Sequence, residues 1–135
     1  MQPKSIAEKM LLMSARSLAI VNGAVHPKVV AQMPAQLIDA AQNAAAGAAD
    51  VVLLFSLNRK ELERLIPEAE ARLATKGALW VAFQKGPAAR LTDLNRDAID
   101  ACVQPRGLAG VGTIALDKYW SALRLRRVQD PAPAP

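Results

Sequence analysis

The side chains best suited to bind a ligand lie in two loop segments, and each segment directly follows an apolar run that is typical of a β-strand. They are Asn22, Gly23, His26, Lys85, Arg90 and Thr92. In open α/β sheets, ligands bind beyond the carboxyl ends of the parallel strands, so both segments are expected at the same edge of a sheet. Lys85 and Arg90 flank Gly86, ahead of a helix predicted to begin near Thr92, and the free N–H groups of a helix start favour an anion. We therefore predict a site for a small anionic ligand at this edge.

Each candidate also has a simpler structural interpretation. Lys85 and Arg90 can be solvated loop residues before an ordinary helix cap. His26 can act as a general base if a substrate binds beside it, but no carboxylate lies near it in the sequence. A histidine that precedes a proline, here Pro27, is typical of a helix cap or a surface group. The sequence therefore assigns no catalytic residue.

Cysteine and histidine are too scarce for most metal and redox chemistry. The single cysteine, Cys102, lies on the inward stripe of a predicted helix, where we interpret it as a small hydrophobic residue. One cysteine excludes an internal disulfide, and one histidine leaves a zinc site dependent on carboxylates, which is uncommon. We predict no metal site and no bound cofactor.

A polar and aromatic cluster, formed by Asp117, Tyr119, Trp120 and Ser121, lies between the last two predicted strands. The cluster is either a site or a structural turn, in which Asp117 bonds its own backbone and Trp120 anchors the core. Ser121 lacks the flanking glycines of a hydrolase nucleophile. Both interpretations stay open.

Basic residues gather near the C-terminus. Arg124 and Arg126 alternate with Leu123 and Leu125, so the two arginines share one face of a strand. They can bind phosphate or an acidic partner. They can equally prevent an edge strand from pairing with another chain.

The composition predicts one ordinary domain with a substantial core. The chain has 135 residues, of which 52% are hydrophobic, and a net charge of +5. Its basic and acidic residues are interspersed, so we do not favour nucleic-acid binding. No apolar run approaches the roughly 20 residues that span a bilayer, and Glu8 and Lys9 interrupt the apolar stretch that a signal peptide needs. We predict a cytoplasmic protein that takes a small anionic ligand or a protein partner, with a homodimer as one form of self-association.

The predicted elements alternate between helix and strand. Ser5 and Glu8 match a capping box, Pro27 opens a second helix, and Pro67 is expected to kink or divide a helix that Gly77 ends. The alanine-rich stretch at 40–49 is either helix or compact loop. Thr92 or Asp93 is expected to cap the next helix. Strands are predicted at 18–21, 37–38, 51–55, 78–83, 110–116 and 121–128.

This order predicts a compact α/β domain at 1–128 with a Rossmann-like, mostly parallel sheet of five or six strands. The run at 51–55 does not alternate between polar and apolar residues, as expected for a central parallel strand. The link before 121–128 is too short for a parallel crossover, so the last two strands form an antiparallel pair. The alternation in 121–128 places that strand near a sheet edge. The segment 129–135 is a flexible Pro/Ala-rich tail.

Several motifs of the second half resemble a bacterial family of small proteins that carries a domain of unknown function. The motifs are Leu79-Trp80-Val81 followed by Lys85, Thr92-Asp93-Leu94, and Asp117, Trp120, Ser121 and Leu123. The resemblance covers about residues 50–128. It implies membership of a family and no particular activity.

The order strand, helix, strand, helix and antiparallel strand pair is similar to the C-terminal half of S-adenosylmethionine-dependent methyltransferases. That resemblance implies a reduced methyltransferase-like fold. In those enzymes a glycine-rich loop after the first strand cradles the cofactor, and an acidic residue after the second strand takes the ribose hydroxyls. This chain has a single glycine, Gly23, in the corresponding segment 22–27, and Asp39 is its nearest counterpart of the acidic residue. We therefore favour a non-catalytic module that binds a small ligand or a protein. A small S-adenosylmethionine-dependent transferase and a nucleic-acid binder that uses the basic C-terminal strand are the alternatives.

Overall fold

A five-stranded sheet forms the centre of the described part of the chain. In a computed structural model, which describes residues 5–10, 12–42 and 48–128, the strands lie in the spatial order β1-β2-β3-β5-β4 when numbered along the chain. They are β1 (Leu18–Val21), β2 (Ala49–Phe55), β3 (Leu73–Gln84), β4 (Leu108–Ala115) and β5 (Trp120–Arg127). The first three strands run parallel, and β5 is antiparallel to both of its neighbours. The predicted α/β class and the terminal antiparallel pair are confirmed, and the sheet as a whole is mixed.

The described helices cover the faces and one edge of this sheet. They are α1 (Ile6–Lys9), α2 (Pro27–Val30), α3 (Ala35–Gln42), α4 (Arg59–Arg72) and α5 (Arg96–Val103). The capping box of α1 is confirmed, because the Ser5 hydroxyl accepts from the N–H of Glu8 at 3.1 Å while the Glu8 carboxylate accepts from the N–H of Ser5 at 3.3 Å. Pro27 is the first residue of α2, as predicted. No helix among these residues is long and apolar enough to span a bilayer.

The unbroken apolar run of β2 is buried on both faces, as its pattern predicts. Val52 and Leu54 belong to the core cluster that contains the buried residues of α4 and α5. Leu53 and Phe55 belong to a second cluster, which contains the buried residues of α1 and α2. Two helical layers therefore fix the position of β2, and with it the loops at the carboxyl ends of the parallel strands.

The predicted strand at 37–38 is wrong. Leu37 and Ile38 lie in α3, which begins directly after Pro34 and packs beside β1. Both side chains are half-buried and Ala41 is buried, because a helix places positions three and four residues apart on one face. Asp39 therefore lies on a helix and does not follow a strand. In the alanine-rich stretch at 40–49, residues 40–42 end α3 and β2 begins at Ala49, while 43–47 lie outside the described residues, as does the predicted tail at 129–135.

The long helix is not divided at Pro67, and the expectation that Gly77 ends it is wrong. Helix α4 runs through Pro67 without a break. Proline has no N–H to donate to the carbonyl of Glu63, but Pro67 and Glu63 are both exposed, so water can reach that carbonyl. Gly77 does not end this helix, because Leu73 follows Arg72 in extended conformation and Gly77 lies within β3. A Cβ atom at Gly77 would lie only 2.9 Å from the carbonyl oxygen of Asp50, so the close approach of β2 requires glycine there.

The start of α5 lies a few residues beyond its predicted position. The chain first forms a 3-10 turn at Gly86–Leu91, and the side chain of Asn95 then accepts from the N–H of Ala98 at 2.8 Å. Asn95 is thus the cap, and neither Thr92 nor Asp93 fills that role. Asp93 instead accepts from the N–H of Arg59 at 2.8 Å, at the start of α4.

Strand β5 is not an edge strand. It lies between β3 and β4, so β1 and β4 form the two edges of the sheet. Its alternation has a different cause: Leu123 and Leu125 are fully buried in the core cluster beneath α4 and α5, while Arg124 lies on the opposite face beside a cavity. The arginines of β5 therefore do not protect an edge.

Candidate functional site

Asn22 joins the carboxyl ends of the first two strands. Its backbone is left-handed, with φ of 63°, which turns the chain sharply out of β1. Its side-chain amide donates to the carbonyl oxygen of Phe55 at 2.9 Å and to the carboxylate of Glu61 at 2.9 Å. The same carboxylate oxygen of Glu61 accepts from the N–H of Leu57 at 2.8 Å. Asn22 therefore spans the crevice between β1 and β2 with its own side chain.

His26 covers the neighbouring part of this edge. Its Nε2 atom lies 2.6 Å from Oδ2 of Asp117, in the turn between β4 and β5. Its ring centroid lies 6.2 Å from that of Phe55 and 5.6 Å from that of Trp120. Only 13% of the side chain is exposed. The imidazole is thus held by a carboxylate on one side and packed against two aromatic rings.

Asp117 is placed to hold this imidazole. Its Oδ1 atom accepts from the N–H groups of Tyr119 at 2.8 Å and Trp120 at 2.9 Å, which leaves Oδ2 for His26. Burial raises the pKa of Asp117, but the hydrogen bonds from His26 and from the two N–H groups outweigh it, so the pKa lies below its ordinary value. Asp117 is therefore ionised at neutral pH and favours a proton on Nε2 of His26, with Nδ1 as the remaining ring nitrogen. This arrangement orients a potential general base.

Gly23 is required for packing. A Cβ atom at Gly23 would lie 2.7 Å from Cγ2 of Ile20 and 3.1 Å from Cγ2 of Val30. Because Gly23 has no side chain, Ile20 and Val30 can pack closely against it in the 3-10 turn that leads from β1 to α2.

The second predicted segment is joined to the edge through its backbone. The N–H of Lys85 donates to the carbonyl oxygen of Tyr119 at 2.9 Å. The Thr92 hydroxyl accepts from the N–H of Leu94 at 3.0 Å, so it stabilises its own loop. Arg90 is exposed on the 3-10 turn. Within the described ranges, no hydrogen bond or ion pair connects the side chains of Lys85, Arg90 or Thr92 with Asn22 or His26.

Sequence reasoning did not identify the most informative contact of this edge. His26 and Asp117 are 91 residues apart, so no local pattern pairs them. The sequence did mark the cluster of Asp117 and Trp120, and the structure shows that it serves both as a turn and as the partner of His26. Glu61 carried no signal, because an acidic residue in the first turn of a helix is ordinary.

The remaining titratable candidates do not form a site. Where the chain is described, no group of three or more His, Cys, Asp and Glu side chains is arranged to hold a metal ion. Cys102 is half-buried, and burial together with the nearby Glu63 carboxylate raises the pKa of its thiol, against the opposing effect of Arg59 and Arg106. Its thiolate is therefore disfavoured at neutral pH.

Comparison with known proteins identifies the fold. No protein-family model and no curated protein sequence matches the chain. Among solved structures, the mitomycin 7-O-methyltransferase MmcR is similar, with a TM-score of 0.57 and 12% identity over 84% of this chain and 49% of that chain. The ribosomal protein L11 methylase of Lactobacillus delbrueckii subsp. bulgaricus has a TM-score of 0.53 and 14% identity over 88% of this chain and 73% of that chain. The chain has the methyltransferase fold. The tRNA methyltransferase TrmK of B. subtilis agrees, with a TM-score of 0.51 and 9% identity over 93% of this chain and 67% of that chain.

The predicted methyltransferase-like likeness is thus confirmed at the level of fold. Similarity at such low identity concerns the fold alone and assigns no activity.

The residues at the carboxyl edge do not fit the cofactor that this fold implies. The loop after β1 holds one glycine, whose open side is filled by Ile20 and Val30. Asn22 bridges the ends of β1 and β2, where repeated close backbone approach to a cofactor would be needed. Asp39, the sequence counterpart of the ribose-binding acid, lies on α3. At Asn22 and His26 this edge is therefore occupied by the protein's own side chains.

Proposed function

We propose that the chain is a non-catalytic module that uses the methyltransferase fold to bind a small ligand. One observation carries this proposal: the side chains of Asn22 and His26 occupy the edge at which a methyltransferase-like sheet would receive its cofactor. Their hydrogen bonds to Phe55, Glu61 and Asp117 tie them to the end of β2, to the first turn of α4 and to the turn between β4 and β5. Opening this edge would break those bonds and separate His26 from two aromatic rings.

The contacts of Asn22 and His26 favour a closed edge energetically. A hydrogen bond to a charged group contributes about 1.5–3 kcal/mol when it is well buried, and an aromatic pair adds about 1 kcal/mol. A cofactor would have to replace several such contacts before its own binding became favourable. The edge therefore serves as a structural brace between the loops.

Isothermal titration with S-adenosylmethionine and S-adenosylhomocysteine tests this proposal. We expect no binding to the wild-type protein, and no shift of its melting temperature with either compound. The matched variants are His26→Ala, which opens the edge, and Arg64→Ala, an exposed residue of α4. The proposal would be contradicted if the wild-type protein bound either compound, and if this binding changed in His26→Ala but not in Arg64→Ala.

Methyl transfer is the second candidate function. The fold comparisons favour it, and the pair of His26 and Asp117 has the geometry of an oriented general base. In this case Asn22 and His26 would have to move aside when the cofactor binds. The same titration separates the two candidates, because a transferase must bind S-adenosylhomocysteine.

A further inference from the structure

The strands β3 and β5 separate at the amino end of β3. Their pairing extends from Gln84 and Trp120 to Leu79 and Leu125, although β3 begins at Leu73 and β5 continues to Arg127. Residues 74–77 also leave the register with β2, which passes from the pair Ala49 and Leu73 to the pair Val51 and Ala78. A gap therefore opens between the two strands at the edge opposite to His26.

This gap is a strongly basic cavity of about 440 Å³, a size that suits a small ligand. Four of its seven lining residues carry a positive charge, and none is acidic. The charged residues are Lys76, Arg124, Arg126 and Arg127. No salt bridge connects any of these four to a carboxylate of the described residues. Within this part of the chain, no ion pair therefore offsets the positive charge of the cavity.

Arg127 holds the walls of the cavity in place. Its guanidinium donates to the carbonyl oxygens of Ala74 at 3.2 Å and Thr75 at 3.1 Å, and to that of Leu73 at 3.5 Å. These bonds cross the gap between β5 and β3, so they fix its width. Because the bonding partners are neutral carbonyls, the full charge of Arg127 stays at the cavity.

Two buried donors of the paired strands β3 and β5 lack an acceptor, and one of them belongs to a residue that lines the cavity. Nε of Arg124 and Nε1 of Trp80 are shielded from water and have no hydrogen-bond partner among the described residues. Arg124 lines the cavity, and Trp80 lies directly opposite it across the paired strands, on the same face. A buried donor without a partner costs about 1–3 kcal/mol. Arg124 donates and does not accept, so an oxygen-rich anion is the chemistry that suits it, whereas Trp80 belongs to the core and lines neither this cavity nor its neighbour.

We propose that this cavity binds the phosphate groups of a small phosphorylated molecule. A second cavity of about 280 Å³ adjoins it and shares Lys76, Gly77 and Arg124. Its other lining residues include the apolar Met10, Ala15 and Val51 together with the acidic Asp50, so the adjoining cavity suits an uncharged portion of the same ligand and not its phosphates. The recessed position between two strands favours a small molecule over a nucleic-acid backbone. This inference names the ligand of the module and so rests on the proposed function.

Calorimetric titration with inorganic triphosphate tests the inference. We expect one binding site in the wild-type protein. Lys76→Gln and Arg126→Gln change exposed residues that make no structural hydrogen bond in the described part of the chain, so both variants should fold. Each should weaken binding about tenfold, as the loss of one charge-assisted hydrogen bond predicts. Arg64→Gln is the matched control and should bind as wild type does.

Three results would overturn the inference. The first is no binding of triphosphate to wild type. The second is equal weakening by Arg64→Gln, which would show attraction by net charge alone. The third is binding of an RNA oligonucleotide without terminal phosphates while triphosphate does not bind, which would assign the basic cavity to nucleic acid. Failure of the proposed function is distinct, because it appears as binding of S-adenosylhomocysteine at the opposite edge.

Discussion

Replacing His26 with alanine should lower the free energy of unfolding by about 3 kcal/mol. The lost ring contacts with Phe55 and Trp120 account for about 1 kcal/mol each. The lost hydrogen bond to Asp117 accounts for about 1 kcal/mol, less than a fully buried charged bond, because 36% of the Asp117 side chain is exposed. Together these losses should lower the urea midpoint by roughly 1.5 M, for a denaturant slope of about 2 kcal/mol per M.

Urea unfolding of wild type, His26→Ala and His26→Phe measures this effect. The phenylalanine variant keeps the aromatic contacts and removes only the hydrogen bond, so it should lose about 1 kcal/mol. The reasoning is refuted if the alanine variant stays within about 0.5 kcal/mol of wild type, the range of an ordinary surface substitution. Equal losses in both variants would show that the rings contribute nothing.

Three further expectations follow from the geometry. The difference in unfolding free energy between wild type and Asp117→Ala should be constant above the ordinary carboxyl pKa of about 3.9 and should shrink as pH falls below it, because the pKa of Asp117 is lowered in the folded state. Urea unfolding at several pH values measures this difference. A difference that persists at pH values well below the carboxyl range refutes the expectation. Gly77→Ala should lower the free energy of unfolding by about 1–3 kcal/mol, since its Cβ would meet two carbonyl oxygens of β2. Gly112→Ala should lower it little, because nothing lies within 4 Å of the added Cβ. Equal shifts of the melting temperature in the two variants would contradict this. Cys102 should react slowly with a disulfide reagent at neutral pH and rapidly in urea, because burial raises the pKa of its thiol; equal rates in both conditions would show an exposed thiolate.

The pattern of single segments predicts much of this fold. The unbroken apolar run of β2 indicates a strand covered on both faces, and the short link before β5 requires an antiparallel pair. The two apolar residues Leu37 and Ile38 were too short a run to distinguish a strand from a helix. Their spacing from Ala41 is the helical signal, which becomes visible only when the alanine is counted as apolar.

The candidate site depends on contacts that no local pattern contains. Asn22 and His26 could be selected because they follow a strand, but their partners Glu61 and Asp117 lie far along the chain, in α4 and in the turn between β4 and β5. The order of β4 and β5 in the sheet brings Asp117 to the edge, and that order is not determined by the hydrophobic pattern. The basic cavity could not be predicted from the sequence for the same reason, because it arises where the pairing of two distant strands, β3 and β5, stops.

The most direct test of the closed edge is a nitrogen-15 correlation spectrum of the protein titrated with S-adenosylhomocysteine. The backbone amides of Asn22, Gly23 and His26 report on the loop after β1, and the side-chain amide of Asn22 reports on its bonds to Phe55 and Glu61. We expect that none of these signals moves at saturating ligand. Saturable shifts confined to these signals would show that the edge opens to a cofactor, and would contradict the central claim.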